Sequence, residues 1–341
     1  MRPPYPGRLS TAWTGNAHAL DGRLSEEADG GAIYPWHGSC NVGNPKLEPP
    51  MPALTVTWSP AKSLWNGGAL LGALLLCPQY IDLSAMAMAA VFTAITLCCG
   101  HSAGIHRGLI HRSYEARPWV RGLLAYLGTL VGLGGPISLL ALHNTRDHFQ
   151  NTPDCPAFYG HTDPLWRDFF TQNHAVATRT DGWTPPLDPT VTGSAWMRFL
   201  DATARWQQLP VALALYAAGG WSWVAWGLFA RVAIGVHGHW LVGWFAHNEG
   251  AQPRTVLGSA IQGTNNRLFG AMSFGEGWHN NHHAFPRSAR LGLEPGQLDG
   301  GWLFLQLLAR LGLVWNLITP DQEAALEPGR TVVEGPPALA R

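Results

Sequence analysis

Four apolar stretches, paired off by links of only a few residues, restrict this 341-residue chain to very few architectures. They lie near residues 62–80, 84–105, 208–226 and 227–247, and a bilayer's hydrocarbon is crossed by about 20 residues of helix. The links Tyr80–Ser84 and Gly219–Ser222 leave room for nothing but a hairpin. Neither link carries Lys or Arg, whereas Arg107, Arg112, Arg117 and Arg121 follow the second stretch and Arg198 and Arg205 precede the third. By the positive-inside rule both hairpin tips point outward, and the segments between and after them face the cytoplasm. Arg231, inside the fourth stretch, is the one residue that fits this plan badly. The expected fold class is an all-α integral membrane protein, with four transmembrane helices carrying a cytoplasmic helical cap.

Composition agrees with a chain short of water-facing groups. Only 13% of residues are charged, against about 25% in soluble domains. Lys+Arg and Asp+Glu both number 22, and this balance argues against a nucleic-acid partner. The five cysteines show no C-x-x-C spacing, which excludes a zinc ribbon or disulfide framework. Residues 1–58 are rich in Gly, Pro and polar side chains without periodicity or a signal-peptide pattern, and are expected to be a disordered extension. The main domain is expected over 59–320, with 321–341 as a flexible tail. A fifth apolar stretch, Trp119–Leu142, is interrupted by Gly132, Gly134, Gly135 and Pro136. It is read as an interfacial or re-entrant helix, because a full crossing would separate the histidines that flank it.

Thirteen of the fifteen histidines fall between His101 and His283. In GEGWHNNHHAFP, His279, His282 and His283 stand at offsets 0, 3 and 4 of a predicted helix, so three imidazoles share one face and can converge on metal. Two further clusters, His106 with His111 and His143 with His148, each adjoin an apolar segment. Imidazole suits iron, zinc and copper alike. About eight ligands beside an acyl-sized apolar space favour two irons and dioxygen chemistry, since zinc with four ligands would leave half the histidines without work.

The motifs resemble those of the membrane fatty acid desaturase family, in its acyl-CoA (stearoyl-CoA type) Δ9 branch, over roughly Trp65 to Ile318. HRGLIHRSYEA is similar to the family's first box and implies His106 and His111 as ligands. Five residues differ by about 140° on an ideal helix, which puts His111 just past the helix end. GEGWHNNHHAFP matches the third box and implies His279, His282 and His283. In HGHWLVGWFAHNEG, His247 fills a ligand position, Gly243 stands where the family has Asn, and His239 lies one turn earlier. His239 is a candidate ligand or a histidine hydrogen-bonded within the bundle.

The middle box departs from the pattern. The resemblance implies His143 as a ligand, but Arg146 and Asp147 stand where two further histidines are expected. Guanidinium has no acceptor and cannot bind iron, whereas the Asp147 carboxylate can. His148 lies one residue beyond, about 100° off that face, and is the alternative. Asn265 is a candidate to hold a water or orient a ligand, or else a turn residue, and the Trp166–Arg167–Asp168 stretch reads as a surface amphipathic helix.

The resemblance implies two irons, O2 as co-substrate, and dehydrogenation of a long-chain acyl substrate at the membrane lipid. Electrons would come from an external ferredoxin or cytochrome b5-like donor, because the chain carries neither an iron-sulfur cysteine cluster nor a dinucleotide motif. In a bacterium the site would lie on the cytoplasmic side of the inner membrane. An acyl-chain hydroxylase and a catalytically silent metal-binding membrane protein remain as alternatives.

Overall fold

The computed structural model describes residues 54–335 apart from 154, 180–181 and 327–328; the greater part of the expected N-terminal extension lies outside the described residues. The described chain is mostly helical. Helix α1 (Pro60–Leu76) begins with Ser59, whose side chain accepts from the Lys62 amide, and with Pro at its first turn, a pairing that satisfies orphan donors and pre-sets the backbone. A tight link leads to α2, which runs from Leu83 to Ile110 and starts on Asp82, capping the amides of Ser84 and Ala85. Two shorter helices follow, α3 (Pro118–Thr129) and α4 (Pro136–Gln150). The break between them falls at the glycines, with Gly132 at φ +96° and Gly134 at φ +152°, so the fifth apolar stretch forms no continuous span.

Small helices α5 (Ala157–Gly160), α6 (Leu165–His174) and α7 (Ala195–Ala202) lead to the long run α8, Gln208–Asn248. Beyond it come α9 (Arg267–Met272), α10 (His279–Ala284), α11 (Gly300–Arg310) and α12 (Pro320–Leu326). Three two-stranded antiparallel ladders tie the periphery together: β1 (Leu54–Trp58) with β3 (Ala175–Arg179), β2 (Glu115–Ala116) with β5 (Val314–Trp315), and β4 (Arg254–Val256) with β6 (Val332–Glu334).

Among the described residues two helical runs, α2 and α8, are long and apolar enough to cross a membrane. Run α8 breaks at Gly219 (φ −151°, ψ 16°) and Gly220 (φ 65°, ψ −154°), in the link Gly219–Ser222 expected between the third and fourth apolar stretches. Leu215 packs on Gly227, so the chain folds back there. The limb before the break, 208–218, rises about 16 Å, half of the hydrocarbon thickness. Apolar side chains such as Leu71, Leu74, Val91 and Leu213 are more than half exposed, as expected of surface that faces lipid tails.

The described inner margins of the expected disordered extension and of the expected flexible tail are ordered. Leu54–Trp58 is a strand in register with Arg179–Ala175, because LTVTW alternates β-branched and aromatic residues that favour a pleated pairing. Residues assigned to the C-terminal tail form α12 and β6, and Glu323 of α12 is buried, accepting from the Arg287 amide at 2.9 Å.

Helices α2 and α3 approach unusually closely. A Cβ at Gly100 would stand 2.3 Å from the backbone of Leu127 and Gly128, and one at Gly104 would stand 2.8 Å from Leu124. This is the small-residue contact by which helices pack in lipid. Arg231, awkward in the sequence, is 1% exposed. Its Nε donates to the Gly227 carbonyl at 2.7 Å, and its terminal nitrogens donate to the Leu130 carbonyl and Gln208 Oε1. Gln208 Nε2 donates to the same Leu130 carbonyl at 3.0 Å. Arg231 therefore satisfies the open C-terminus of α3. Replacing Arg231 with Leu is expected to destabilise the protein by about 2–3 kcal/mol, seen as a lower melting temperature of the detergent-extracted protein by size-exclusion thermal challenge.

Candidate metal centre

The second half of α2, Ile95–Ile110, is π-wound. Its i→i+5 pattern brings residues five apart nearly into line. His111 caps this segment, its amide donating to the His106 carbonyl at 3.0 Å, and the two Nε2 atoms come within 3.2 Å. An α-helical winding would have splayed the pair, so the helix end alone does not account for their meeting.

The seven firmly expected ligands collect into two groups. His106, His111, His143 and His282 form one, and His247, His279 and His283 the other, with ligand atoms in each group all within 4.8 Å of one another. Helix α10 serves both. His282 faces the first group while His279 and His283 face the second, and the ring centroids of His279 and His282 are 5.3 Å apart. Asn265 fixes this helix at its start: Oδ1 accepts from the amides of Asn280 (3.0 Å) and Asn281 (3.2 Å), and Nδ2 donates to Asn281 Oδ1 at 2.8 Å. Both ends of the Asn265 amide are thereby engaged with protein, which makes it a clamp on α10.

The first group is held from behind by carboxylates. Glu276 Oε2 lies 2.6 Å from His106 Nδ1, and its Oε1 accepts from Ser102 Oγ at 2.5 Å and Arg107 at 3.0 Å. Arg107 in turn donates to Asp299 Oδ1 at 2.9 Å. Asp147 Oδ1 lies 3.2 Å from His143 Nδ1. Burial would raise both carboxyls, yet the neighbouring imidazoles, with Arg107 at Glu276, hold them below the usual carboxylate range. Such carboxylate–histidine pairs fix the tautomer and leave Nε2 free for a metal.

Burial, followed by the neighbouring imidazoles, pushes His111, His279 and His282 well below the ordinary imidazole range. Burial likewise brings His283 down to about 4. These rings are neutral at physiological pH and present lone pairs. A set of neutral ring nitrogens fits a borderline metal such as iron.

The less certain candidates are placed elsewhere. His239 meets His101 edge-on at 4.8 Å, and His101 lies parallel to His106 at 6.4 Å; His239 is in neither group. Asp147 contacts His143 rather than completing a group. His148 stacks on Trp183 at 4.4 Å, because α4 stays helical through Gln150 and no unwinding turns His148 inward. The charge of Arg146 is felt at Asp147 and Asp168. Sequence reasoning missed Glu276, the partner of His106, although it stands three residues before His279. It also missed His161, whose ring centroid is 5.7 Å from that of His247. No local spacing announces that contact, which α5 and α8 make across the fold. Asp168, taken as part of a surface helix, is fully buried against His161.

Residues 83–293, more than half of the chain and including every histidine of both groups, match the sequence model of the fatty acid desaturase family. The chain belongs to this family. It is similar to the sn-1 stearoyl-lipid 9-desaturase of Anabaena variabilis, 32% identical over 79% of this chain and 96% of the relative. It is 30% identical to the sn-2 palmitoyl-lipid 9-desaturase of a Nostoc species, over 74% of this chain and 87% of that one. The acyl-CoA 5-desaturase AL21 of Anemone leveillei is 29% identical over 72% of this chain and 75% of its own length. The family is membrane-associated and generally iron-dependent, and the two histidine groups are of a kind that could bind metal.

Replacing Glu276 with Gln removes the charge behind His106 while keeping its volume. Iron affinity, measured by chelator competition, is expected to fall by about 10- to 100-fold.

Proposed function

We propose that this chain is an O2-dependent fatty acyl desaturase that introduces a double bond into a long acyl chain carried by a membrane lipid or coenzyme A. The observation that carries the reading is the meeting of two imidazole groups on the single helix α10, inside the segment matched to the desaturase family. His106, His111, His143 and His282 would hold one iron, and His247, His279 and His283 the other. Asp147 acts by orienting His143, and His239 by packing on His101 beside His106. Two irons would supply the redox chemistry: one O2 takes two electrons from an external carrier with two protons from solvent, and two hydrogen atoms from adjacent methylenes, leaving two waters.

The protein's own part is to position. Glu276 and Asp147 set the imidazole tautomers on the first group. Asn265 and the buried Trp278, whose Nε1 donates to the Leu298 carbonyl at 2.8 Å, hold α10 rigid. The histidines are assigned to the cytoplasmic ends of four membrane helices, with α1 and the short first limb of α8 completing two hairpins. A ferredoxin or cytochrome b5-like protein is the electron donor on that side.

Expression in a desaturase-deficient host tests this reading. Lipid profiling should reveal acyl chains lacking two hydrogens with the wild type and none with His279→Ala at equal protein level. Products that instead gain one oxygen would assign the scaffold to hydroxylation.

A further inference from the structure

The first histidine group offers four nitrogens and the second only three. Beside the second lies one more imidazole. His161 is 2% exposed, and its Nε2 has no hydrogen-bond partner although fully buried. Its other nitrogen is engaged: Nδ1 lies 3.0 Å from Oδ2 of Asp168, itself wholly buried, and Trp240 Nε1 donates to the same oxygen at 2.7 Å. A carboxylate oxygen accepting at Nδ1 puts the proton there and the lone pair on Nε2, the arrangement found behind metal-bound histidines.

The backbone is committed to this orientation as well. His161 sits at φ 52°, ψ 33°, a left-handed conformation uncommon for residues other than glycine and found at sites that clamp a ligand. Asn248 Nδ2 donates to its carbonyl at 2.9 Å. On α8, Trp240, Gly243 and His247 follow one another at offsets 0, 3 and 7 and so share a face. Gly243 makes room, since a Cβ there would already stand 3.4 Å from His161 Nε2 and a longer side chain would fill the space ahead of the ring. The 5.7 Å between the ring centroids of His161 and His247 suits two imidazoles on one ion, which at about 2.1 Å metal–nitrogen distance lie about 4.5–6.5 Å apart.

We propose that His161, aimed by Asp168, is a fourth protein ligand of the second metal position. It supplies the nitrogen that Arg146 and Asp147 of α4 do not. The proposal rests on reading the two histidine groups as two metal positions.

The test is metal content and spectroscopy of the full-length, detergent-purified protein loaded with 57Fe. His161→Ala is expected to lose about one of the two irons, with one of two Mössbauer signals lost or shifted. His161→Gly should regain it on addition of free imidazole, whereas His148→Ala should behave as wild type. A folded His161→Ala protein that keeps both irons and an unchanged spectrum overturns the proposal. Where His161→Ala does not fold, Asp168→Asn decides: chelator competition should register about 10- to 100-fold weaker binding of one iron only, and unchanged affinity overturns the assignment. Wild-type protein that takes up no iron would instead sink the two-metal reading beneath it.

Discussion

Seven imidazoles gathered into two groups crowd their ring nitrogens within 4.8 Å of one another in each group, an arrangement that costs free energy unless a cation meets them. Much of the surrounding architecture serves to hold that arrangement. Carboxylates stand behind the rings of the first group, a cluster of asparagines pins the short helix shared by both groups, and close helix contacts keep α2 from drifting. Folding and metal uptake are thermodynamically linked in such a protein, since binding free energy adds to the stability of the state that presents the ligands.

The π-wound half of α2 shows how the backbone adapts to that demand. Sixteen residues run in this winding, long for a conformation that usually occurs as single-turn bulges near functional sites. It aligns His106 with His111 and, by the same period, His101 with His106. The close approach to α3 at Gly100 and Gly104 puts a neighbouring backbone against the less favourable geometry, so packing sustains what local propensity would not.

How much of this was legible in the sequence depended on how local each contact is. His279, His282 and His283 declared themselves because helical period alone brings them together. That His282 would serve one group and its neighbours the other was not legible, since it depends on the sides from which α2, α4 and α8 arrive. Arg231 looked like an error in a membrane helix until the open carbonyl of Leu130 supplied its reason. His161 and Asp168, seven residues apart, gave no pattern, because the geometry that matters runs through Trp240 and Asn248 on a helix about eighty residues away. Leu54–Trp58 was lost among glycines and prolines, its pairing partner lying far along the chain.

The relay from His106 through Glu276 and Arg107 ends on Asp299, which also caps α11 by accepting from the Trp302 amide at 2.9 Å and holds the amides of Leu291 and Gly292. One carboxylate thus ends an ion-pair chain and begins a helix. The C-terminal part of the chain is accordingly no detachable appendage: a shortened protein ending before Asp299 would take away the partner of one Arg107 nitrogen and slacken the seat of His106. Domain boundaries drawn for truncation or fusion belong downstream of this residue.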